Sequence, residues 1–183
     1  MEILDIVDAN GIPTGETVER EVAHRKGIRH RTAHVWICRR KKNSIEILLQ
    51  KRCQNKDSFP GCYDISSAGH IPAGMDYIPS ALRELKEELG VTAEESELIY
   101  CGQKYLGIEE QFHGKPFKDA QISHVFLLWR DMEEKDFTVQ REEIESVKWM
   151  GFENCKKAVL DNSIPNCIDI EELRMLEEHF HDI

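Results

Sequence analysis

The sequence has 183 residues, of which 40% are hydrophobic and 32% charged, and these values are typical of one ordinary globular domain. A formal net charge of −10 argues against a general binding surface for a nucleic acid polymer or for an anionic membrane. The chain contains no apolar run of membrane-spanning length, no secretion signal at its N-terminus and no CxxC pair among its six cysteines. We therefore expect a cytoplasmic protein with reduced thiols.

The first half of the chain predicts an N-terminal extension followed by sheet strands. Residues 2–7 alternate weakly in polarity and residues 8–11 (DANG) are a turn sequence, which predicts a short hairpin that ends at residues 13–15. Residues 17–25 could form a short helix. Residues 32–39 and 45–52 read as paired strands, and the apolar run at 45–49 indicates a strand that is buried on both faces.

The second half predicts more strands and then two helices. Strands are expected at 97–107, 122–129 and 142–149, and a turn is expected at 113–116. Residues 152–160 look helical, and Pro165 precedes a last helix at 170–180. Because helices and strands interleave, we expect an α/β (α+β) domain with a mixed central sheet. Its parts are an extension at 1–30, a core at 31–150 and C-terminal helices at 151–183.

The stretch Gly69–Val91 (GHIPAGMDYIPSALRELKEELGV) contains the strongest pattern. Asp76 is a plausible N-cap, Pro79 falls within the first helical turn, and Gly90 suits the position just after a helix. One face of this helix is apolar, with Leu82, Leu85 and Leu89. A second face carries three carboxylates, Glu84, Glu87 and Glu88.

Three like charges at this spacing repel each other, and a cluster of oxygen ligands is what Mg²⁺ or Mn²⁺ prefers. Taken alone, the three glutamates are more simply read as a solvated acidic face. Together with their neighbours, however, they resemble the Nudix box, on the motifs Gly69, Arg83-Glu84-Leu85, Glu87-Glu88 and Gly90-Val91. The resemblance implies an α/β/α sandwich in which a loop–helix–loop binds a divalent metal and the diphosphate of a substrate.

The resemblance also assigns roles to individual residues. Glu84, Glu87 and Glu88 are the expected ligands of Mg²⁺ or Mn²⁺, and Arg83 is expected to hold these catalytic glutamates in place. The substrate-binding residues that we expect are Arg52, Lys56, Gly69 and His70. The general base is left open among five residues, which are Glu88, Glu109, Glu110, Glu142 and Glu143.

One box position departs from the family pattern. Met75 stands where the family has its first glutamate, with Asp76 beside it. In the family this glutamate more often supports the loop than binds metal. Met75 therefore bears on loop geometry, metal affinity and rate, while Asp76 is better explained as the helix cap.

The N-terminal extension and the run at 63–70 (YDISSAGH) resemble a Nudix subgroup related to isopentenyl-diphosphate isomerases. Those isomerases bind a metal through histidines and acidic residues, and His24, His30 and His70 are placed similarly. Alkene protonation needs a well-placed acid, but Ala68 and Gln121 stand where the isomerases have catalytic groups. A lone histidine is also more often a satisfied polar residue than a ligand.

The resemblance implies a metal-dependent pyrophosphohydrolase that cleaves a nucleoside diphosphate linked to another moiety. Its partner is a small-molecule diphosphate substrate, and a homodimer is left open. Two alternatives are an isopentenyl-diphosphate isomerase-like enzyme and a catalytically weak nucleotide-binding module of the same fold. Met75 is the feature that favours the binding module, whereas the intact glutamate trio argues against it.

Overall fold

The N-terminal segment forms an antiparallel hairpin that is followed at once by a short helix. The computed structural model describes residues 1–181. Its first elements are β1 (Ile3–Val7), β2 (Pro13–Glu19) and α1 (Arg20–Lys26). The turn predicted at 8–11 is confirmed, because the side-chain oxygen of Asp8 accepts hydrogen bonds from the backbone N–H groups of Asn10 and Ile12.

The second strand of this hairpin corrects two predictions. Residues 13–15 begin β2 instead of ending the hairpin, and residues 17–19 belong to the strand instead of the predicted helix. Thr17 pairs with Asp5, and Val18 pairs with Leu4, which is fully buried. Pairing of these β-branched residues with β1 outweighs their weak helical pattern, so the helix begins at Arg20.

A seven-stranded mixed sheet forms the centre of the molecule. Its strands are β3 (His30–Lys41), β4 (Ser44–Arg52), β5 (Tyr63–Asp64), β6 (Ser67–His70), β7 (Ile99–Phe112), β8 (Lys115–Trp129) and β9 (Ile144–Gly151). The main order is β5-β4-β3-β8-β7, while β6 pairs with β3 and β9 pairs with β4. Strands β3 and β8 run parallel, and the other pairs are antiparallel.

Helices cover both faces of this sheet, which confirms the predicted α/β/α sandwich. They are α2 (Tyr77–Leu89), α3 (Phe152–Leu160) and α4 (Ile170–Glu177). Val35 and Ile37 of β3 pack on the side of α2, whereas Trp36 and Cys38 pack on the side of α3 and α4. The expectation that 45–49 is buried on both faces holds for 47–49, whose side chains divide between the two clusters.

Several element bounds differ from the sequence pattern. The strand predicted at 97–107 begins at Ile99 and extends to Phe112, because a long hairpin joins β7 to β8. The turn predicted at 113–116 is confined to residues 113–114, since Lys115 and Pro116 already pair with β7. The last helix ends at Glu177 instead of residue 180. The final two residues of the predicted C-terminal segment lie outside the described residues. Within residues 1–181, no helix is long and apolar enough to cross a membrane.

Candidate active site

Helix α2 carries the acidic residues, and both of its ends match the sequence pattern. The side chain of Asp76 accepts a hydrogen bond from the Tyr77 N–H at 2.7 Å. Gly90 adopts φ +68°, and its N–H reaches the last carbonyls of the helix. Leu85 and Leu89 are fully buried against the sheet, and Glu84 and Glu88 lie on the adjacent face of the helix, where they contact β6.

Glu84 lies against Gly69 of β6. A methyl group placed on Gly69 would lie 2.4 Å from Cδ and 2.7 Å from Oε1 of Glu84. Only glycine leaves room for the carboxylate at this point. The helix and the strand therefore approach closely where the acidic face begins.

Arg83 holds two of the glutamates from outside the cleft. Its Nη2 donates to Glu84 Oε1 at 2.6 Å, and its Nε lies 3.9 Å from Glu87 Oε2. The Glu87 side chain is 57% exposed, so it is free to take up a ligand from solvent. Arg83 therefore contacts two of the three glutamates that the sequence predicts it to hold in place.

Glu88 is the most buried of the three carboxylates. Its Oε2 accepts a hydrogen bond from the Ala68 N–H at 3.2 Å, and the residue is 8% exposed. Burial, followed by repulsion from Glu84, raises the pKa of the Glu88 carboxyl to about 8. Burial also raises the pKa of Glu84, although Arg83 opposes this change.

A cleft of about 450 Å³ brings this acidic face together with cationic side chains. The predicted site residues that line it are Arg52, Lys56, Gly69, His70, Glu84, Glu87 and Glu88. Two further cations, Arg20 and Lys104, also line the cleft. A cleft that is lined by both the box carboxylates and cationic side chains suits a metal-bound phosphate group.

Comparison with known proteins agrees with this geometry. The family model described as NUDIX domain matches residues 28–167, which is most of the chain. The chain belongs to the Nudix family. A protein of Clostridium acetobutylicum that is named a Nudix hydrolase is 36% identical over 163 residues, covering 89% of this chain and 76% of that protein.

Two further relatives extend the comparison. Nudix hydrolase 3 of Arabidopsis thaliana is 37% identical over 156 residues, which cover 83% of this chain but only 19% of that longer protein. The crystal structure of DR0079 from Deinococcus radiodurans superposes with a TM-score of 0.68 at 21% identity, over 94% of this chain and 98% of DR0079. The structural match shows the fold, and the sequence matches show a hydrolase that acts on phosphoric anhydride bonds.

Arg52 and Lys56, on the strand end and the loop before the Nudix box, are partly engaged within the protein. Arg52 donates to the backbone oxygen of Ser58 through Nε and Nη2, and its Nη1 contacts Asp64 at 3.0 Å. Lys56 forms an ion pair with Glu143. Arg52 thus clamps the loop that follows β4, while Lys56 carries the ammonium group toward the cleft.

The structure narrows the five candidates for the general base. Glu88 and Glu143 line the cleft. Among the described lining residues, Glu109, Glu110 and Glu142 are absent, and the first two instead flank a separate shallow depression on the β7–β8 hairpin. Of the five candidate bases, Glu88 and Glu143 are therefore the two that line the cleft.

The three histidines that the sequence left open come together at one end of the cleft. The ring centroids of His24, His30 and His70 are separated by 5.1 to 5.2 Å in all three pairs. Burial, and then the neighbouring His30, lower the pKa of His24 to about 3. Burial likewise lowers the pKa values of His30 and His70, so all three imidazoles are neutral at pH 7.

The sequence pattern missed Arg20, Lys104 and Asp119. Arg20 is four residues before His24 on α1, and its side chain is 40% exposed and lies 3.5 Å from the carboxylate of Glu2. Lys104 pairs with Asp169, which immediately precedes α4, and with Glu172 of α4. The i, i+4 spacing of Arg20 and His24 places both side chains on one face of a helix, and it was the local signal available for Arg20 within the helix predicted at 17–25.

Proposed function

We propose that this Nudix hydrolase is a metal-dependent pyrophosphohydrolase that cleaves a nucleoside diphosphate linked to another moiety. The observation that carries the proposal is the convergence of Glu84, Glu87 and Glu88 on one cleft that also contains four cationic side chains. A diphosphate is an anion that the cationic side chains and the carboxylates can both bind, although in different ways. Cations can bind its outer oxygens directly, and the carboxylates need a metal between them and the phosphates.

The donor set fits Mg²⁺ or Mn²⁺. Glu88 is buried and accepts a hydrogen bond from the Ala68 N–H, and the neighbouring Glu84 accepts one from Arg83. Buried carboxylates in this state favour a cation, and hard oxygen donors favour these two metals. When bound, such a metal supplies neutralisation of phosphate charge and a lowered pKa for coordinated water.

The other side chains of the cleft position the metal ligands, bind phosphate oxygens and accept a proton. Arg83 keeps the Glu84 carboxylate at its position beside Gly69. Arg20 and Lys56 line the cleft where they can contact phosphate oxygens. Glu143 is the candidate base that is not also an expected metal ligand, and Lys56 orients its carboxylate. Glu143 accepts a proton from the attacking water as the new P–O bond forms and the anhydride P–O bond breaks.

The residues present argue against two alternative functions. Isopentenyl-diphosphate isomerisation needs an acid to protonate an alkene, but Ala68 and Gln121 stand at the positions where the isomerases have catalytic groups. Ala68 contributes only its backbone N–H to Glu88, and Gln121 contributes an amide. A binding module without catalysis would leave the intact glutamate trio unexplained, because these carboxylates repel each other without a metal.

The test is product analysis with Mg²⁺ and with Mn²⁺. The panel contains nucleoside di- and triphosphates, sugar nucleotides, dinucleoside polyphosphates and isopentenyl diphosphate. Glu87→Gln should reduce turnover of the cleaved substrate by about 100-fold, or roughly 2.7 kcal/mol in activation free energy. Lys86→Gln, an exposed neighbour on α2, is the matched control and should keep wild-type turnover.

Each other outcome rejects the proposal. Formation of the allylic isomer from isopentenyl diphosphate would establish the isomerase instead. Absence of cleavage across the panel, together with ligand-induced increases in melting temperature, would establish a binding module. Cleavage that survives unchanged in Glu87→Gln would place the chemistry elsewhere in the protein.

A further inference from the structure

We infer that the β7–β8 hairpin is a clasp that opens to admit substrate and closes over it, and that His113 at its tip is a positioning residue for Lys56. We call residues 109–118 of this hairpin the arm. The role of His113 depends on the proposed function, because Lys56 lines the cleft in which a diphosphate would bind. The clasp adds a moving part and a residue outside the cleft lining to that function.

The arm is a two-stranded ribbon that extends beyond the rest of the sheet. Strands β7 and β8 pair as far as Phe112 and Lys115. Strand β3, by contrast, pairs with β8 from Gln121 onward. Among the described residues, the arm therefore has no third strand beside it. An isolated two-stranded ribbon is marginally stable on its own, so side-chain contacts must hold the arm in place.

Asp119 marks the fixed base of the arm. This residue is 7% exposed, and its Oδ1 lies 3.5 Å from Nε2 of His30 and 3.7 Å from Nε2 of His24. Beyond this base, residues 109–111 and 113–116 are exposed. A segment with an exposed backbone and few buried contacts opens more readily than the sheet to which it is joined.

The tip of the arm is fastened to the loop that follows β4. Nε2 of His113 donates a hydrogen bond to the backbone oxygen of Lys56 at 2.7 Å. The ring of Phe112 meets that of Phe59 edge to face, with centroids 4.7 Å apart. Phe117 of the arm and both loop residues line the cleft. The tip contacts therefore join two segments that line the cleft, and they close it between these segments.

The backbone is left-handed on both sides of this contact. His113 has φ +51° and Gly114 has φ +72°, and positive values at both central residues define a type I′ hairpin turn. Phe59 has φ +46°, which is unfavourable for a bulky side chain. Residues held in such conformations cluster at ligand clamps and switch segments. The strained Phe59 is one of the residues that the arm contacts when it is closed.

Closure of the arm acts on the reaction through Lys56. His113 holds the backbone of Lys56, and the ammonium group of Lys56 pairs with Glu143, the candidate base. When the arm opens, Lys56 loses this anchor and the cleft admits or releases its ligand. When the arm closes, the cation and the base return to their positions, and bulk water has less access to the bound phosphates.

The first test is amide hydrogen exchange of the full chain, with and without Mg²⁺ and methylenediphosphonate, a non-hydrolysable diphosphate. In free wild-type protein the arm should exchange faster than residues 121–128 of the same strand, and the probe should slow the arm. His113→Asn and His113→Gly both suit a positive φ, so the turn persists. Each should accelerate exchange of the arm by about 5- to 10-fold, as expected for loss of one hydrogen bond. Lys115→Gln, an exposed control on the same tip, should exchange as wild type.

The second test is kinetic. Both His113 variants should lower kcat/KM for the cleaved substrate by about 5- to 10-fold, mainly through a higher KM, with little change in melting temperature. Faster exchange with an unchanged kcat/KM would overturn the positioning role. An arm that exchanges as slowly as residues 121–128, that does not respond to the probe, or that is unaffected by both His113 variants would overturn the clasp. Because Glu87→Gln should abolish hydrolysis but leave exchange of the free arm unchanged, failure of the proposed function and failure of the clasp are distinguishable.

Discussion

Glu84 occupies the space that a side chain on Gly69 would need. The virtual Cβ of Gly69 lies 2.4 Å from the Glu84 carboxyl carbon and 2.5 Å from its Cγ, well inside normal contact distance. These two box residues are fifteen positions apart in the sequence, and their contact fixes the distance between helix α2 and strand β6. The glycine therefore determines where the carboxylate of Glu84 sits.

Gly69→Ala should consequently impair metal-dependent activity more than stability. The clashing atoms belong to the end of a flexible side chain, so Glu84 can rotate away while the fold persists. We expect the Mg²⁺ concentration for half-maximal activity to rise by about 10- to 100-fold, with a small change in melting temperature. The control is Gly151→Ala, where the added carbon would meet Asn154 at 3.3 Å. An unchanged Mg²⁺ dependence would contradict this role of Gly69.

Arg83→Lys tests positioning of the glutamates by a planar guanidinium. Lysine keeps the charge but cannot approach Glu84 and Glu87 with two separate N–H donors, as Arg83 does. We expect about a 10-fold rise in the Mg²⁺ requirement and a smaller change in kcat at saturating Mg²⁺. A purely structural residue would change the melting temperature alone. Lys86→Ala, on the same helix, should leave the Mg²⁺ dependence unaltered.

Glu143 and Glu142 form a matched pair for locating the general base. Glu143 lines the cleft and pairs with Lys56, whereas its neighbour Glu142 is exposed and does not line it. Glu143→Gln should lower kcat by at least about 100-fold without changing the Mg²⁺ requirement. Glu142→Gln should stay within about twofold of wild type. If the two variants had similar kinetics, Glu143 would not be the general base, and Glu88 would be the remaining candidate.

The box helix could be predicted from sequence because its information is local. The Asp76 cap, the leucine face and the Gly90 stop lie within fifteen residues of each other, and the structure confirms all of them except that Leu82 is only partly buried. Thr17–Glu19 were misassigned because pairing with β1 overrides local propensity.

Residues that meet only in the folded chain were harder to foresee. His30 lies opposite Gln121 in the parallel β3–β8 pair, although these residues are 91 positions apart. No local spacing indicates that contact, so Asp119 was not connected with the histidines. For the same reason, the five candidate bases could be reduced to two only when the cleft was known.

Met75→Glu should have little effect, even though it restores the family residue. Met75 is not among the described residues that line the cleft, it is 43% exposed, and its backbone oxygen accepts a hydrogen bond from Arg31 at 2.8 Å. The loop is therefore held through the main chain and does not need a carboxylate at this position. We expect kcat and the Mg²⁺ requirement to stay within about twofold of wild type. A gain of 10-fold or more in either would show that Met75 limits the enzyme.

Glu172 of α4 anchors the C-terminal helix to the sheet beneath the cleft. It accepts hydrogen bonds from Trp36 Nε1 and His34 Nδ1, both at 2.8 Å, and Lys104 lies 3.4 Å away. Burial on its own would raise the pKa of this carboxyl, but attraction to His34 and Lys104 and the two hydrogen bonds lower it to about 2. Asp169, which pairs with Lys104, is the other charged group at this contact.

This low pKa predicts a specific dependence of stability on pH. A carboxyl with a folded pKa of about 2 and an ordinary value of 4.5 stabilises the protein above pH 4.5, by on the order of 3 kcal/mol, and the contribution is lost as pH falls toward 2. Denaturant unfolding should therefore show Glu172→Gln well below wild type at pH 7, with the difference shrinking between pH 4.5 and 2. The exposed neighbour Glu171→Gln should follow wild type at every pH. A Glu172→Gln deficit that stays constant down to pH 2 would mean that lost packing, and not the charge, accounts for it.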